Sequence, residues 1–220
     1  MENINRQYIV DYIQEVIPKN NKLLQKLESY AKDNNVPIIH PEVAQLLKVI
    51  MNIKKPKKIL EIGTAIGYSA LLMAYYMKDD GKIITIERRK EMIDIALNNI
   101  KENGFSDKIT IKNGEAHEIL PQINEKFDLI FIDAAKSKYM EFLSCCLNCL
   151  SKDGIIVSDN VLYKGMIAND DLVPRRQRTI VRKMRAYLDY ICNDEKFESS
   201  IIPIGDGVAI TTLKEENNYE

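Results

Sequence analysis

The stretch KILEIGTAIGYS at residues 58–69 decides the fold of this chain. Its apolar run, Ile59 to Ile62, is broken only by Glu61 and stops at Gly63. Gly67 follows four residues later, and Ala70, Leu71, Met73 and Ala74 then open an apolar helical pattern. A buried strand, a tight turn and a helix let backbone approach a nucleotide. The spacing departs from the dinucleotide fingerprint G-x-G-x-x-G: it reads Glu-x-Gly-x-x-x-Gly, with a carboxylate at the strand end. A carboxylate pointing into the loop repels a pyrophosphate and suits a ligand with an ammonium or sulfonium charge, as S-adenosylmethionine has.

Outward from that loop, strands and helices alternate. Strand candidates are 57–62, 82–87, 108–112, 127–132 and 153–158, with helical patterns at about 68–78, 89–103, 116–122 and 136–150 between them. Such alternation marks a parallel α/β sheet with both faces covered. A long helix at about 174–193 precedes strands at 197–203 and 207–213. Gly205-Asp206-Gly207 between these two is a hairpin signal, so the sheet should finish with an antiparallel strand. Upstream, Tyr8, Ile9, Tyr12, Ile13 and Val16 recur at helical spacing and Pro18 ends the segment. Leu23, Leu24, Leu27 and Tyr30 mark a second helix, and Pro41 opens a third. The chain therefore reads as one domain, a helical cap (1–52) on a Rossmann-like core (53–215), with the last six residues frayed.

Bulk properties narrow the class. The 220 residues suffice for one well-buried domain. A net charge of −1 excludes a general polycation, so any nucleic-acid binding must come from a local patch. No run of about 18 apolar residues occurs and the N-terminus lacks a secretory layout, so the expectation is a cytoplasmic protein without a membrane span. Cys145, Cys146 and Cys149 lie in an apolar helix-like segment, with Cys192 apart and His40 and His117 distant in sequence. We read the thiols as buried and structural rather than as metal ligands.

In open α/β sheets, ligands lie beyond the carboxyl ends of the strands. The first strand ends at Glu61 and Gly63. The second ends at Glu87, about twenty residues past the glycine turn, where an acid can accept from both ribose hydroxyls. The third leads to Gly114-Glu115-Ala116, near an adenine edge. The fourth ends at Asp133 and the fifth leads to Asp159-Asn160. Either aspartate alone is an ordinary turn former. Together, Asp133, Asp159 and Asn160 offer three oxygens at one sheet edge, a set that suits Mg²⁺ or a similar hard divalent ion. Lys136, three residues past Asp133, can face the same place.

The combination of Ile-Leu-Glu-Ile-Gly-Thr-x-x-Gly-Tyr-Ser, Phe-Ile-Asp-Ala-Ala-Lys136 and Asp159-Asn160 resembles the cation-dependent class I O-methyltransferases, the catechol and caffeoyl-CoA group and their bacterial relatives. The resemblance covers about residues 36–213. It implies a seven-stranded Rossmann-like sheet with a reversed last strand, S-adenosylmethionine as methyl donor, a divalent cation and a homodimer. It also implies Asp133, Asp159 and Asn160 as metal ligands and Lys136 as base, with Asp133 also counted as catalytic and as a donor contact. Ser69, Glu87, Glu115 and the segment around Ile38 would contact the donor.

For the acceptor, residues 175–185 carry six cations and no anion. On a helical wheel Arg175, Arg178, Arg182 and Arg185 form one stripe beside Arg176, with Ile180, Met184, Tyr187, Leu188 and Ile191 opposite. Arginine dominance in a chain of net charge −1 favours phosphate contacts. Within the family, the Pro-Arg-Arg-x-Arg-Thr-Ile-Val-Arg stretch resembles that of the tRNA 5-hydroxyuridine methyltransferases, which make wobble-position 5-methoxyuridine. The leading expectation is therefore tRNA as acceptor, since a 5-hydroxyl and the adjacent O4 can chelate one metal ion. The alternative is a small catechol or phenolic acceptor. An NAD-dependent oxidoreductase is opposed by the missing G-x-G-x-x-G, and a non-catalytic RNA-binding protein by the intact metal set.

Overall fold

The computed structural model describes residues 3–214, so the fraying expected at the last six residues and the core boundary expected at 215 lie outside it. Seven strands form one sheet: β1 (Lys58–Ile62), β2 (Lys82–Glu87), β3 (Ile109–Asn113), β4 (Phe127–Ile132), β5 (Leu150–Ser158), β6 (Phe197–Ile202) and β7 (Val208–Leu213). Their order is β3-β2-β1-β4-β5-β7-β6. The first five run parallel, and β7 lies antiparallel to both β5 and β6. The reversed strand is thus the last in sequence, as expected, but it is inserted inside the sheet while β6 takes the edge. The order of β1 and β4 places the topological switch between them, where ligands settle in such sheets.

Alternation along the strands decides which helices cover each face. On one face, Ile59, Ile83, Leu129, Phe131 and Val157 pack with α2 (Lys22–Asp33), α3 (Pro41–Lys54) and α4 (Tyr68–Tyr76). On the other, Leu60, Ile62, Ile130, Ile132 and Ile156 pack with α7 (Tyr139–Cys149) and α8 (Arg178–Asn193). The remaining helices are α1 (Gln7–Val16), α5 (Lys90–Glu102) and α6 (Ala116–Ile119). α4 is buried on nearly every side, from Tyr68 to Ala74.

Two expected helices begin differently. The segments at 136–150 and 174–193 each open with a tight 3₁₀ turn, at 136–138 and 175–177. In the second, the fixed backbone of Pro174 starts the turn and its carbonyl accepts from Gln177 N at 2.8 Å. β5 begins at Leu150 rather than 153, because Leu150 pairs with Phe127 across a register shift in β4. Cys146 and Cys149 are buried under α8, whereas Cys145 is half-buried and Cys192 exposed. Among the described residues no helix is long and apolar enough to cross a membrane.

Candidate active site

A cleft of about 810 Å³ opens at the carboxyl ends of β1 to β5, within the size range of small-molecule and cofactor sites. Its lining includes Ile38, Gly63, Ser69, Glu87, Glu115, Asp133, Lys136, Asp159 and Asn160. Residues drawn from the cap, five strand ends and the loops after them therefore share one cavity.

The glycine loop shapes the cleft's floor. Gly63 has φ +105°, and a Cβ there would sit 2.0 Å from the Asp133 carbonyl oxygen. Only glycine lets the ends of β1 and β4 approach so closely. Gly67, at φ +84°, then starts α4. Glu87 reaches back across the loop: its Oε2 accepts from Ala65 N, and its Oε1 from Arg88 N and Arg89 N, each at 3.0 Å. Glu115 stands at the rim, where Arg88 donates to it at 3.1 Å.

Glu61 corrects the sequence expectation of a carboxylate directed into the loop. It has no exposed surface and is not part of the cleft wall. It points to the α4 side of β1, where the hydroxyls of Ser69 and Thr85 both donate to it. Thr85 in turn shares a 2.6 Å hydrogen bond with Thr64. Burial pushes the Glu61 carboxyl up to about 8, against the two hydroxyl donors, with small added repulsion from Asp133 and Glu87. Strand alternation would have warned of this, since Glu61 shares the parity of Ile59, which faces the same helices.

Beside the glycine loop, adjacent β4 and β5 set Asp133 next to Asp159 and Asn160. Asp133 N donates to Ile62 O and Asp159 N to Ile132 O, both at 2.9 Å, so each strand end is tied to its neighbour. Asp159 is fully buried; its Oδ1 accepts from Asn160 N at 2.7 Å, and its Oδ2 has no partner among the described residues. Burial raises both carboxyls above the usual range; Asp133 adds to the rise at Asp159, and Lys136 and His40 oppose it at Asp133. Lys136 Nζ donates to Asn160 Oδ1 at 2.9 Å and lies 5.7 Å from the centre of the Tyr163 ring. No cluster of three or more His, Cys, Asp and Glu suited to a metal occurs among the described residues. The third oxygen here is an amide.

Several supporting residues escaped the sequence reading. Tyr139 OH donates to Asp159 O at 2.7 Å and stacks edge-on against Tyr187. Asp206, read from sequence only as part of a turn, braces the loop after Asn160: its side chain accepts from Lys164 N and its carbonyl from Leu162 N. That loop contains three non-glycine residues of positive φ, Asn160, Tyr163 and Lys164, so it needs such bracing. The spacing of Asp206 from Asp159 gave no hint of the contact.

The expected arginine stripe spans two elements. Arg175 and Arg176 belong to the 3₁₀ turn, and Arg178 and Arg182 to α8. Arg185 is tied down: it donates to Ile167 O at 2.9 Å, Met166 O at 3.3 Å and Asp170 at 2.7 Å. Val181 is buried, and Ile180, expected in the apolar face, is only partly covered. Arg178, Arg182 and Arg185 line a second hollow of about 500 Å³ with Asp170 and Val173.

Residues 14–214 match the model of the O-methyltransferase family. Tricin synthase 2 of Oryza sativa subsp. japonica is 30% identical over 205 residues, 89% of this chain and 70% of that protein. The caffeoyl-CoA O-methyltransferase of Populus kitakamiensis is 32% identical over 183 residues, 80% and 77% of the two chains. A Staphylococcus aureus structure, provisionally described as a caffeoyl-CoA O-methyltransferase, has a TM-score of 0.85 and 33% identity, covering 94% of this chain and 98% of its own. The O-methyltransferase of Bacillus cereus in complex with SAH shares the fold, with a TM-score of 0.82 at 24% identity over 94% of this chain and 97% of its own. With a reversed last strand, a glycine-loop cleft and matches spanning nearly its whole length, the chain belongs to the O-methyltransferase family and is an S-adenosylmethionine-dependent O-methyltransferase.

Proposed function

We propose that the chain methylates one hydroxyl of a small phenolic acceptor with vicinal oxygens, using a divalent cation such as Mg²⁺ held by Asp133, Asp159 and Asn160. The observation that carries the reading is Asp159 Oδ2, buried without a partner among the described residues and beside the half-buried Asp133. An unpaired buried carboxylate is costly, and a hard cation would supply the missing partner. The residues present therefore fit such an ion, which when bound would lower the pKa of an acceptor hydroxyl. The naming of curated relatives as tricin synthase and caffeoyl-CoA O-methyltransferases supports a phenolic acceptor.

The side chains divide the remaining work. The Glu87 carboxylate, which already accepts from three backbone amides, would receive the donor's ribose hydroxyls, with Ile38, Ser69 and Glu115 around the rest of the donor. Lys136, held by Asn160, would exchange a proton with the acceptor hydroxyl. Transfer then needs oxygen, methyl carbon and sulfur in line at about 3–3.5 Å, which rigid strand ends are suited to maintain. A homodimer would cover the outer face of α1, where Tyr8, Tyr12 and Val16 are exposed.

A second reading keeps tRNA 5-hydroxyuridine as acceptor. Its support is the group Arg175, Arg176, Arg178 and Arg182, exposed and outside any ion pair among the described residues, whereas Arg185 pairs with Asp170. Tyr163 links this group to Lys136, since Tyr163 OH donates to Gln177 at 2.6 Å. The deciding experiment gives the purified protein S-adenosylmethionine, Mg²⁺ and three acceptors: a catechol, caffeoyl-CoA and tRNA containing 5-hydroxyuridine. Methylation of the phenols, lost with EDTA, is expected; turnover of the tRNA alone would select the second reading.

A further inference from the structure

A half-buried polar cluster joins the helical cap to the donor side of the cleft. Tyr68, the first residue of α4, lines the cleft and is 3% exposed. Its hydroxyl donates to Glu28 on α2 at 2.6 Å. Asn20 donates both to Glu28 and, at 3.1 Å, to Tyr68 OH, and leaves its own Oδ1 buried without a partner. Lys48 of α3 is buried nearby, its charge disfavoured by burial and favoured by Glu28.

Holding α2 on the core does not require this cluster. Leu24, Leu27 and Ala31 are at most 3% exposed and already anchor the helix. The only other side-chain hydrogen bond from α2 toward the core, among the described residues, is Lys26 to Glu102, an exposed pair of small value. A carboxylate inserted among helices is costly unless satisfied, and such networks earn their place best as registers or switches. Position supplies the function. α2 ends at Asp33, turns through Asn35 at φ +52° and leads directly to Pro37, Ile38, Ile39 and His40, which form one wall of the cleft.

We propose that Glu28 is a positioning residue for donor binding. By accepting from Tyr68 it fixes α2, and with it the 37–40 wall, against the glycine loop. This rests on the assignment of the cleft to S-adenosylmethionine. The pair acts on donor affinity and leaves the methyl-transfer step itself alone, because neither residue touches Asp133, Asp159 or Lys136.

The test is calorimetric titration of S-adenosylhomocysteine into the wild-type chain, Glu28→Ala, Glu28→Gln, Tyr68→Phe and the double variant Glu28→Ala/Tyr68→Phe. Either Glu28→Ala or Tyr68→Phe should weaken binding about ten-fold, equivalent to about 1.4 kcal/mol. The double variant should be no weaker than the worse single one, since both remove the same bond. Glu28→Gln, which still accepts from the phenol, should bind within about three-fold of wild type. Donor KM should rise in Tyr68→Phe while kcat at saturating donor holds. Folded variants with unchanged affinity, additive losses, or a fall in kcat at constant donor KM would each overturn the proposal. Should Glu28→Ala fail to fold, Tyr68→Phe and Glu28→Gln decide it. A wild-type chain that takes up no S-adenosylhomocysteine overturns the donor assignment itself, an outcome separate from equal binding by all variants.

Discussion

Replacing Glu61 by glutamine should remove a pH dependence from the folding stability of this protein. The carboxyl is fully buried on the α4 side of β1 and titrates at about 8 in the folded state, against an ordinary 4.5. Between these values the native chain holds a proton that the unfolded chain has released. Stability from this group is therefore full below pH 4.5 and is lost as pH rises through 8, at ~1.4 kcal/mol per pH unit. Over the whole window the loss is about 5 kcal/mol, a large part of the 5–15 kcal/mol typical of a native domain. Glutamine has nearly the same shape, cannot ionise, and keeps an acceptor for one hydroxyl of Ser69 and Thr85 while the other hydroxyl turns to accept. Urea unfolding followed by circular dichroism, on both proteins between pH 5.5 and 9 without donor, measures the difference directly. The stability of Glu61→Gln should gain on wild type steadily up to about pH 8 and then level off. Parallel curves would refute the reasoning, because they would mean that the folded carboxyl is already ionised at pH 5.5.

Other perturbations probe the rest of the site. Gly63→Ala places a Cβ 2.0 Å from the Asp133 carbonyl at φ +105°, so we expect a loss of about 3 kcal/mol or more in denaturant unfolding and little residual methyl transfer. Asp159→Ala should abolish methyl transfer yet leave the fold intact by circular dichroism; EDTA-resistant activity in that variant would remove the cation from the account. Changing Arg175, Arg176, Arg178 and Arg182 together to Gln should leave turnover of a catechol within about two-fold, as expected of exposed surface residues away from the strand ends. If tRNA is the acceptor, the same variant loses tRNA turnover and its salt dependence flattens. Arg185→Ala differs from the quartet: it abandons two backbone carbonyls and Asp170, and should cost about 1–3 kcal/mol of stability.

The glycine loop was legible because its constraints are local. A strand end, a turn that requires positive φ and an apolar helix occupy twelve consecutive residues, and Gly63 and Gly67 take the backbone conformations that their spacing implied. Asp133, Asp159 and Asn160 were legible one level higher, because parallel strands deliver their carboxyl ends to a common edge whatever the connections between them. Glu61 was placed in the right strand and on the wrong side of it, an error of parity that the alternating burial of β1 corrects. The arginine segment was only partly legible for a different reason. A helical wheel assumes an unbroken α-helix with free side chains, whereas a 3₁₀ turn follows Pro174 and Arg185 is engaged by Ile167 O, Met166 O and Asp170.

What stayed hidden shares one property: each contact joins residues distant in sequence through a side-chain hydrogen bond. Asp206 bracing Lys164, Tyr139 reaching the Asp159 carbonyl and Tyr68 meeting Glu28 span 42, 20 and 40 residues respectively. No periodicity encodes such pairs, because their geometry exists only once the sheet has set the strand ends in place. The same dependence explains how chemistry is divided in this fold. On the proposed function, the strand ends would hold the cation and the donor's ribose, where backbone pairing fixes position. The loops and cap would carry the acceptor contacts and the donor-positioning contacts, where one hydrogen bond can be exchanged without disturbing the sheet. Acceptor preference should therefore shift with substitutions in the arginine turn and the 160–165 loop, whereas cation dependence should follow β4 and β5, and donor affinity the ends of β1 and β2 together with Glu28, Tyr68 and the 37–40 wall.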